Sequence, residues 1–366
     1  MKKHLITSLF VLATCSTASH AQSGSSIKLF GVMDTGIRNV KNGSLGFVKS
    51  EVSGANMSSR WGIQGEEKIS NDLAAGFWLE SAVASDNGST GASVPPAFFD
   101  RRSTLSLKSS QYSELRMGRD YVPTFLAMSA SDPFTAVGLG STNNFVSQSA
   151  TRAMNQAFGA STNANTTGRF NNSIQYFTPK AFGNFYVHLT TSLGESAANS
   201  GGGNSKTDGY RIGYKDEKID TSYASLKTKN TLVAGQSFSD DVISGSYNFG
   251  VFKLSATQRN FKFMTDKQST TWLAASAPLG SGTLKLSFSK ANQTGATATL
   301  SANDASMFAL GYVYDLSKST AIYTHTARVM NKGSSFFALS GGPSVNVTTF
   351  GGQASSGYEF GVRARF

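Results

Sequence analysis

The 366-residue chain carries 33 lysines and arginines against 22 acids, a net charge of +11, with 37 glycines, 26 phenylalanines and a single cysteine. Only 15% of its residues are charged, yet no run of 18 apolar residues occurs, which excludes a membrane-spanning helix. One cysteine excludes a disulfide framework and a thiol metal site, and without a basic block the positive surplus suits an electropositive lumen or mouth better than nucleic-acid binding.

The chain opens on Met1-Lys2-Lys3-His4, an apolar run from Leu5 to Cys15, and Ser16-Thr17-Ala18-Ser19-His20-Ala21. A basic start, a short apolar middle and a small-residue exit predict a secretory signal peptide over 1–21, cleaved after Ala21. Lipid attachment at Cys15 is the rival reading, with Thr14 a poor fit to it. Cleavage removes Cys15, Lys2 and Lys3, leaving a cysteine-free domain over 22–366 whose net charge falls from +11 to +9.

From Ile27 onward the sequence is a series of short alternating runs. Leu284, Leu286 and Phe288 alternate with Lys285, Ser287 and Ser289; Phe252, Leu254 and Ala256 with Lys253, Ser255 and Thr257. Phe308, Leu310, Tyr312 and Tyr314 share a face, as do Tyr358, Phe360, Val362, Ala364 and Phe366. Period-two alternation gives strands with one apolar and one polar side, which in a membrane barrel meet lipid and a wet lumen respectively.

The pattern predicts sixteen strands near 27–38, 55–67, 73–83, 99–109, 112–119, 169–177, 182–192, 207–215, 218–227, 240–248, 250–262, 268–277, 281–291, 304–314, 319–330 and 356–366. Short turns such as Ser70-Asn71-Asp72 and Asp216-Glu217 alternate with longer Ser/Gly/Asn-rich segments at 39–54, 84–98, 121–168, 193–206, 292–303 and 331–355. Short connections on one side and long ones on the other are the outer-membrane arrangement. All seven prolines fall in expected turns or loops, Pro278 among them, as the missing N–H requires. An even strand count lets the first and last strands pair and leaves no open edge. A secreted sandwich or solenoid adhesin also alternates, although no fixed-period repeat is visible.

The segment from Tyr121 to Gly168 is the longest connection, and it holds one acid, Asp132, and one base, Arg152. A loop of that length is functional or disordered. The expectation is a loop folded into the barrel mouth.

Six stretches carry a resemblance. They are Ile27-Lys28-Leu29-Phe30-Gly31-Val32-Met33-Asp34-Thr35-Gly36, Ser59-Arg60-Trp61-Gly62-Ile63-Gln64-Gly65-Glu66-Glu67, Leu79-Glu80-Ser81, Phe99-Asp100-Arg101, Met117-Gly118-Arg119 and Gly361-Val362-Arg363-Ala364-Arg365-Phe366. In that order and spacing the chain resembles the trimeric general porins of Gram-negative bacteria, the β-proteobacterial branch in particular. The resemblance implies an all-β, 16-stranded antiparallel transmembrane β-barrel with the third external loop folded into the lumen. It also implies a homotrimer in the outer membrane, in contact with lipid and lipopolysaccharide and built by the barrel assembly machinery. The function it implies is passive diffusion of small hydrophilic solutes, with no cofactor and no nucleic-acid partner. Phe366 takes the family's C-terminal assembly signal, alongside a place in an aromatic girdle.

By the same resemblance, Arg60, Arg101 and Arg169 form an arginine ladder facing the loop, with Arg102 as the alternative to Arg101 if a bulge shifts the alternation. Fixed guanidinium groups across a narrow, low-dielectric passage focus a strong field. Asp132 in the loop and Asp120 at its entrance are the available opposing acids, Asp132 being equally suited to capping a turn. Three bases against at most two acids predict preference for anions. A channel with a site for a dicarboxylate or phosphate is the alternative, and a non-conducting adhesin barrel is another.

Trp61, Trp78 and Trp272, with Tyr312 and Tyr358, are expected in the aromatic girdles, with a subunit interface the competing place for Trp61. Lys28, Lys253 and Lys285 are expected as lumen or rim charges. His188 and His325 lie in strands, far from any helix or Cys/His cluster, and no phosphate loop, metal spacing or nucleophile elbow occurs, which argues against an enzyme.

Overall fold

The structure is a computed structural model that describes residues 25–366 apart from 91–96, 148, 160–166, 180–181, 195–205, 230–232 and 234. The expected signal peptide, Pro95 and Pro96 lie outside the described residues. Among those described, the strand segments begin with β1 (Ser26–Asn42), β2 (Phe47–Ser53), β3 (Arg60–Lys68), β4 (Leu73–Ala82), β5 (Arg102–Ser109) and β6 (Ser113–Tyr121). After a long loop follow β7 (Arg169–Phe177), β8 (Phe185–Ser192), β9 (Thr207–Lys215), β10 (Ile219–Lys229), β11 (Ser237–Asn248) and β12 (Lys253–Phe263). The last are β13 (Asp266–Leu279), β14 (Gly282–Thr294), β15 (Ala305–Asp315), β16 (Thr320–Asn331) and β17 (Ala354–Arg365).

Apart from β2 and β3, consecutive segments pair antiparallel, and β1 pairs β17 from Val32↔Arg365 to Asn42↔Ser355, which closes the sheet. β2 and β3 both pair β1, along Thr35–Lys41 and Ser26–Val32 respectively, so together they occupy one barrel position. The result is a closed sixteen-stranded antiparallel barrel. The sandwich and solenoid readings fall with that closure, because pairing of the first and last strands joins the sheet into a ring.

Where β2 gives way to β3, the Asp34 carboxylate accepts the backbone N–H groups of Ala55 (3.1 Å), Asn56 (3.2 Å) and Met57 (2.7 Å), and the Tyr323 hydroxyl donates to it at 2.7 Å. One buried acid thus satisfies three amides that the interrupted ladder leaves unpaired.

Two sequence expectations change here. The segment 39–54, expected as an open loop, is mostly a hairpin, turned at Gly43 and Gly46, both in the left-handed region (φ 48° and 85°). Pro278 lies within β13 rather than in a turn. It pairs Thr283 of β14 and stands beyond the last β12 partner, Ser276, so its missing N–H breaks no ladder bond on the β12 side.

Exposure separates the faces. Ile243, Phe288, Phe308, Leu310 and Phe360 point outward and are exposed, while Val242, Met307 and Ala309 point inward and are buried. Part of the inner wall is covered by the long loop, which carries helices α1 (Pro123–Ser129) and α2 (Arg152–Phe158). Ala127, Met128 and Ala136 pack on Ala224, Val242, Trp272 and Ala274. Phe134, Leu139 and Phe145 pack on Ala291, Met307, Ala309 and Val329. Each buried Phe or Leu contributes roughly 1.5–3 kcal/mol, which holds the loop against the β10–β16 wall. Trp272, 2% exposed beneath α1, is therefore core rather than girdle. Trp78 faces the lumen.

Gly118 sets where the loop departs. It has φ +122°, and a Cβ there would lie 2.0 Å from the Ser103 carbonyl oxygen. The β6–β7 register shifts just after it, between Gly118 and Asp120. Gly118→Ala is expected to lower stability by about 1–3 kcal/mol, seen as an earlier transition in heat-modifiable gel migration.

Candidate functional site

Strands β3 to β7 meet the loop at one height, so their ends line a single chamber of about 890 Å3. Register explains the convergence: Arg60 opposes Ala82, Glu80 opposes Arg102, and Tyr121 opposes Arg169. The wall contributes Arg60, Glu80, Arg101, Arg102, Tyr121 and Arg169, while the loop side, including Phe125, Ser129, Thr135 and Asn143, is uncharged. Four guanidinium groups thus face one carboxylate among the described lining residues.

Glu80 is the hub. Its carboxylate lies 2.5 Å from Arg101 Nε and 3.6 Å from Arg60 Nε, and accepts the Trp78 indole N–H at 3.1 Å. Arg101 also donates to the Tyr121 hydroxyl at 2.9 Å. Arg169 donates to the same hydroxyl (2.6 Å) and to the Arg101 carbonyl (2.7 Å), with its guanidinium 4.2 Å from the centre of the Tyr121 ring. No carboxylate of the described residues pairs with Arg169. Glu80 therefore offsets Arg101 most, Arg60 less and Arg169 least.

Arg101 stands just before β5 and Arg102 is its first residue. Both line the chamber, so the two are not alternatives. Arg102 lies 4.4 Å over the Trp78 ring and 3.5 Å from Asp120.

The two expected acids are placed away from the lining. Asp120 is buried, bridges Arg116 (2.8 Å) and Arg102, and accepts the Tyr121 backbone N–H. Asp132 is buried within the loop, where it accepts the N–H groups of Phe134 (2.7 Å) and Ala136 (2.8 Å), the geometry of a turn cap. Phe366 follows β17, exchanges backbone hydrogen bonds with Gly31 (2.9 and 3.1 Å), and lays its ring over that glycine.

Glu80 was missed in the sequence. The signal was available once strands are paired, because Gly62↔Glu80 sets that acid two residues from Arg60 on the lumen side.

Burial pushes the Asp132 carboxyl up to about 7, against its backbone N–H partners and nearby Lys285, which favour the anion. The folded protein thus holds the proton to higher pH than the unfolded chain. The stabilisation is complete below about pH 4 and is lost as pH rises through about 7. Thermal stability is expected to fall between about pH 4 and 7, and Asp132→Asn to flatten that slope. An unchanged slope in the variant would remove Asp132 as its source.

Lys285 is buried beneath the loop, 5.7 Å from the Phe134 ring, and both histidines are likewise spent on structure. His325 Nδ1 lies 2.9 Å from Glu359, and His188 Nε2 lies 2.8 Å from Gln175 Oε1. Among the described residues no group of three or more His, Cys, Asp or Glu is placed to hold a metal ion.

Residues 8–334 match the family described as Gram-negative porin. The chain is 33% identical to outer membrane porin protein 32 of Delftia acidovorans across the whole of both chains. It is 25% identical to an outer membrane porin protein of Bordetella pertussis, over 90% of this chain and 95% of that one. Among solved structures, the anion-selective porin from Comamonas acidovorans superposes with a TM-score of 0.78 at 31% identity, covering 93% of this chain and all of the other.

Proposed function

Because this chain belongs to the Gram-negative porin family and forms an outer-membrane diffusion channel for small hydrophilic solutes, we propose that its constriction prefers anions. The observation that carries this reading is the chamber's four arginines against the single Glu80. Arginine stays charged when crowded by like charges, so the field persists across physiological pH. The likeness to a porin described as anion-selective supports the same sign.

In this reading Arg60, Arg101 and Arg169, joined by Arg102, select the solute, and Glu80 moderates them. Asp120 and Asp132 shape the eyelet indirectly, through the Arg102–Arg116 bridge and the loop's internal turn. Residues 1–21 serve as the export signal, Phe366 as the assembly signal, and the barrel works as a homotrimer among outer-membrane lipid and lipopolysaccharide. Its role is conduction, not catalysis.

Swelling of protein-loaded liposomes tests the proposal. Anionic solutes are expected to enter faster than cations of equal size. Equal rates, or faster entry of cations, would overturn it.

A further inference from the structure

The constriction pairs its arginines with flat rings. Trp78, Tyr121 and Phe125 all line the same chamber as the arginines, although an aromatic face in a wet passage forgoes burial. Two of the rings carry guanidinium groups, Arg102 over Trp78 at 4.4 Å and Arg169 over Tyr121 at 4.2 Å, and Phe125 stacks on Tyr121 at 5.0 Å with a 6° tilt.

The Arg102–Trp78 pair is held in place by its neighbours and keeps donors free on Arg102. The indole is held by its N–H bond to Glu80 and backed edge-on by Phe30 at 5.0 Å. Arg102 uses Nε on Thr104 (3.2 Å) and Asp120 (3.5 Å), and neither terminal amino group makes a hydrogen bond among the described residues. Both residues also line the vestibule of about 480 Å3 on the turn side of the constriction, so a solute meets them from either direction.

We propose that Arg102 and Trp78 form a subsite for planar aromatic carboxylates. A carboxylate bound two-pronged to guanidinium lies in the guanidinium plane. In an aromatic carboxylate the ring shares that plane, so a ligand held by Arg102 carries a flat π face among the rings and guanidinium groups that line the chamber. A saturated ring of equal charge is puckered and has no π face, and gains only the ion pair. The inference rests on the anion-preferring channel and adds the class of anion held longest.

The test uses the purified full-length channel in planar bilayers, with chloride current titrated by benzoate or cyclohexanecarboxylate. Benzoate is expected to block at a concentration about 3–10-fold lower. Trp78→Leu should bring the two half-blocking concentrations together, Trp78→Phe should keep them apart, and Arg102→Gln should raise both. Equal block in the unmodified channel overturns the subsite, as does a difference that survives Trp78→Leu. The unmodified comparison decides even if Trp78→Leu does not assemble, because the two acids are alike in charge and size. A chloride-preferring channel with equal block sinks the subsite alone, whereas a cation-preferring channel with no block by either acid sinks the anion reading with it.

Discussion

Replacing Arg60, Arg101 and Arg169 together by glutamine is expected to reduce the chloride-over-potassium permeability ratio at least tenfold. The lining would fall from four bases and one acid to Arg102 against Glu80. A unit charge about 7 Å from an ion contributes roughly 0.6 kcal/mol even at the dielectric constant of water. Three such charges shift an anion and a cation in opposite directions, by several kcal/mol in sum before salt screening. The single variants should be unequal. Arg101 is offset by Glu80 at 2.5 Å, whereas Arg169 has only neutral partners, so Arg169→Gln should cost more selectivity. Reversal potentials of the four channels check both the size and the order.

Glu359→Ala is expected to destabilise the barrel by about 3–5 kcal/mol and to enlarge the conductance step. Glu359 is fully buried and lies 2.6 Å from Arg38. It also meets His325 at 2.9 Å and accepts the loop's Leu139 N–H at 3.1 Å. Its loss strands Arg38, only 6% exposed, without a partner carboxylate. The same loss removes a polar tie between the loop and the β17 wall, leaving the Phe134 and Phe145 packing to hold it. The temperature of gel migration reports the first effect and single-channel recording the second. Glu359→Gln separates them, because an amide oxygen still accepts from Leu139 while Arg38 stays unpaired.

The strands were legible because lipid enforces alternation wherever the outer wall is bare. Leu286 and Phe288 are exposed on the outward face of β14 as the pattern requires. The inner face was less legible for the converse reason. Where the loop covers the wall, the wet lumen becomes a core: Trp272, expected in a girdle, points inward, and the apolar Val242 and Met307 stand on the face where alternation expects polar residues. Such a reversal is set by contacts more than a hundred residues apart, which period-two reading does not register.

The wall half of the site was legible as a family pattern, and Arg60, Arg101 and Arg169 converge around Tyr121 and Glu80. The acid side was not. Asp132 was read from its place in the loop, but in the structure its carboxylate closes a turn from Asp132 to Ala136. Glu80 became visible only with cross-strand register, which places it beside Arg60 and Arg101.

The central claim is that uncompensated wall arginines, not the loop, set the sign of selectivity. Its most direct test is the zero-current potential of the reconstituted channel across a tenfold potassium chloride gradient at neutral pH. The arginine-rich chamber predicts a potential displaced toward the chloride equilibrium potential. A potential displaced toward that of potassium would contradict it.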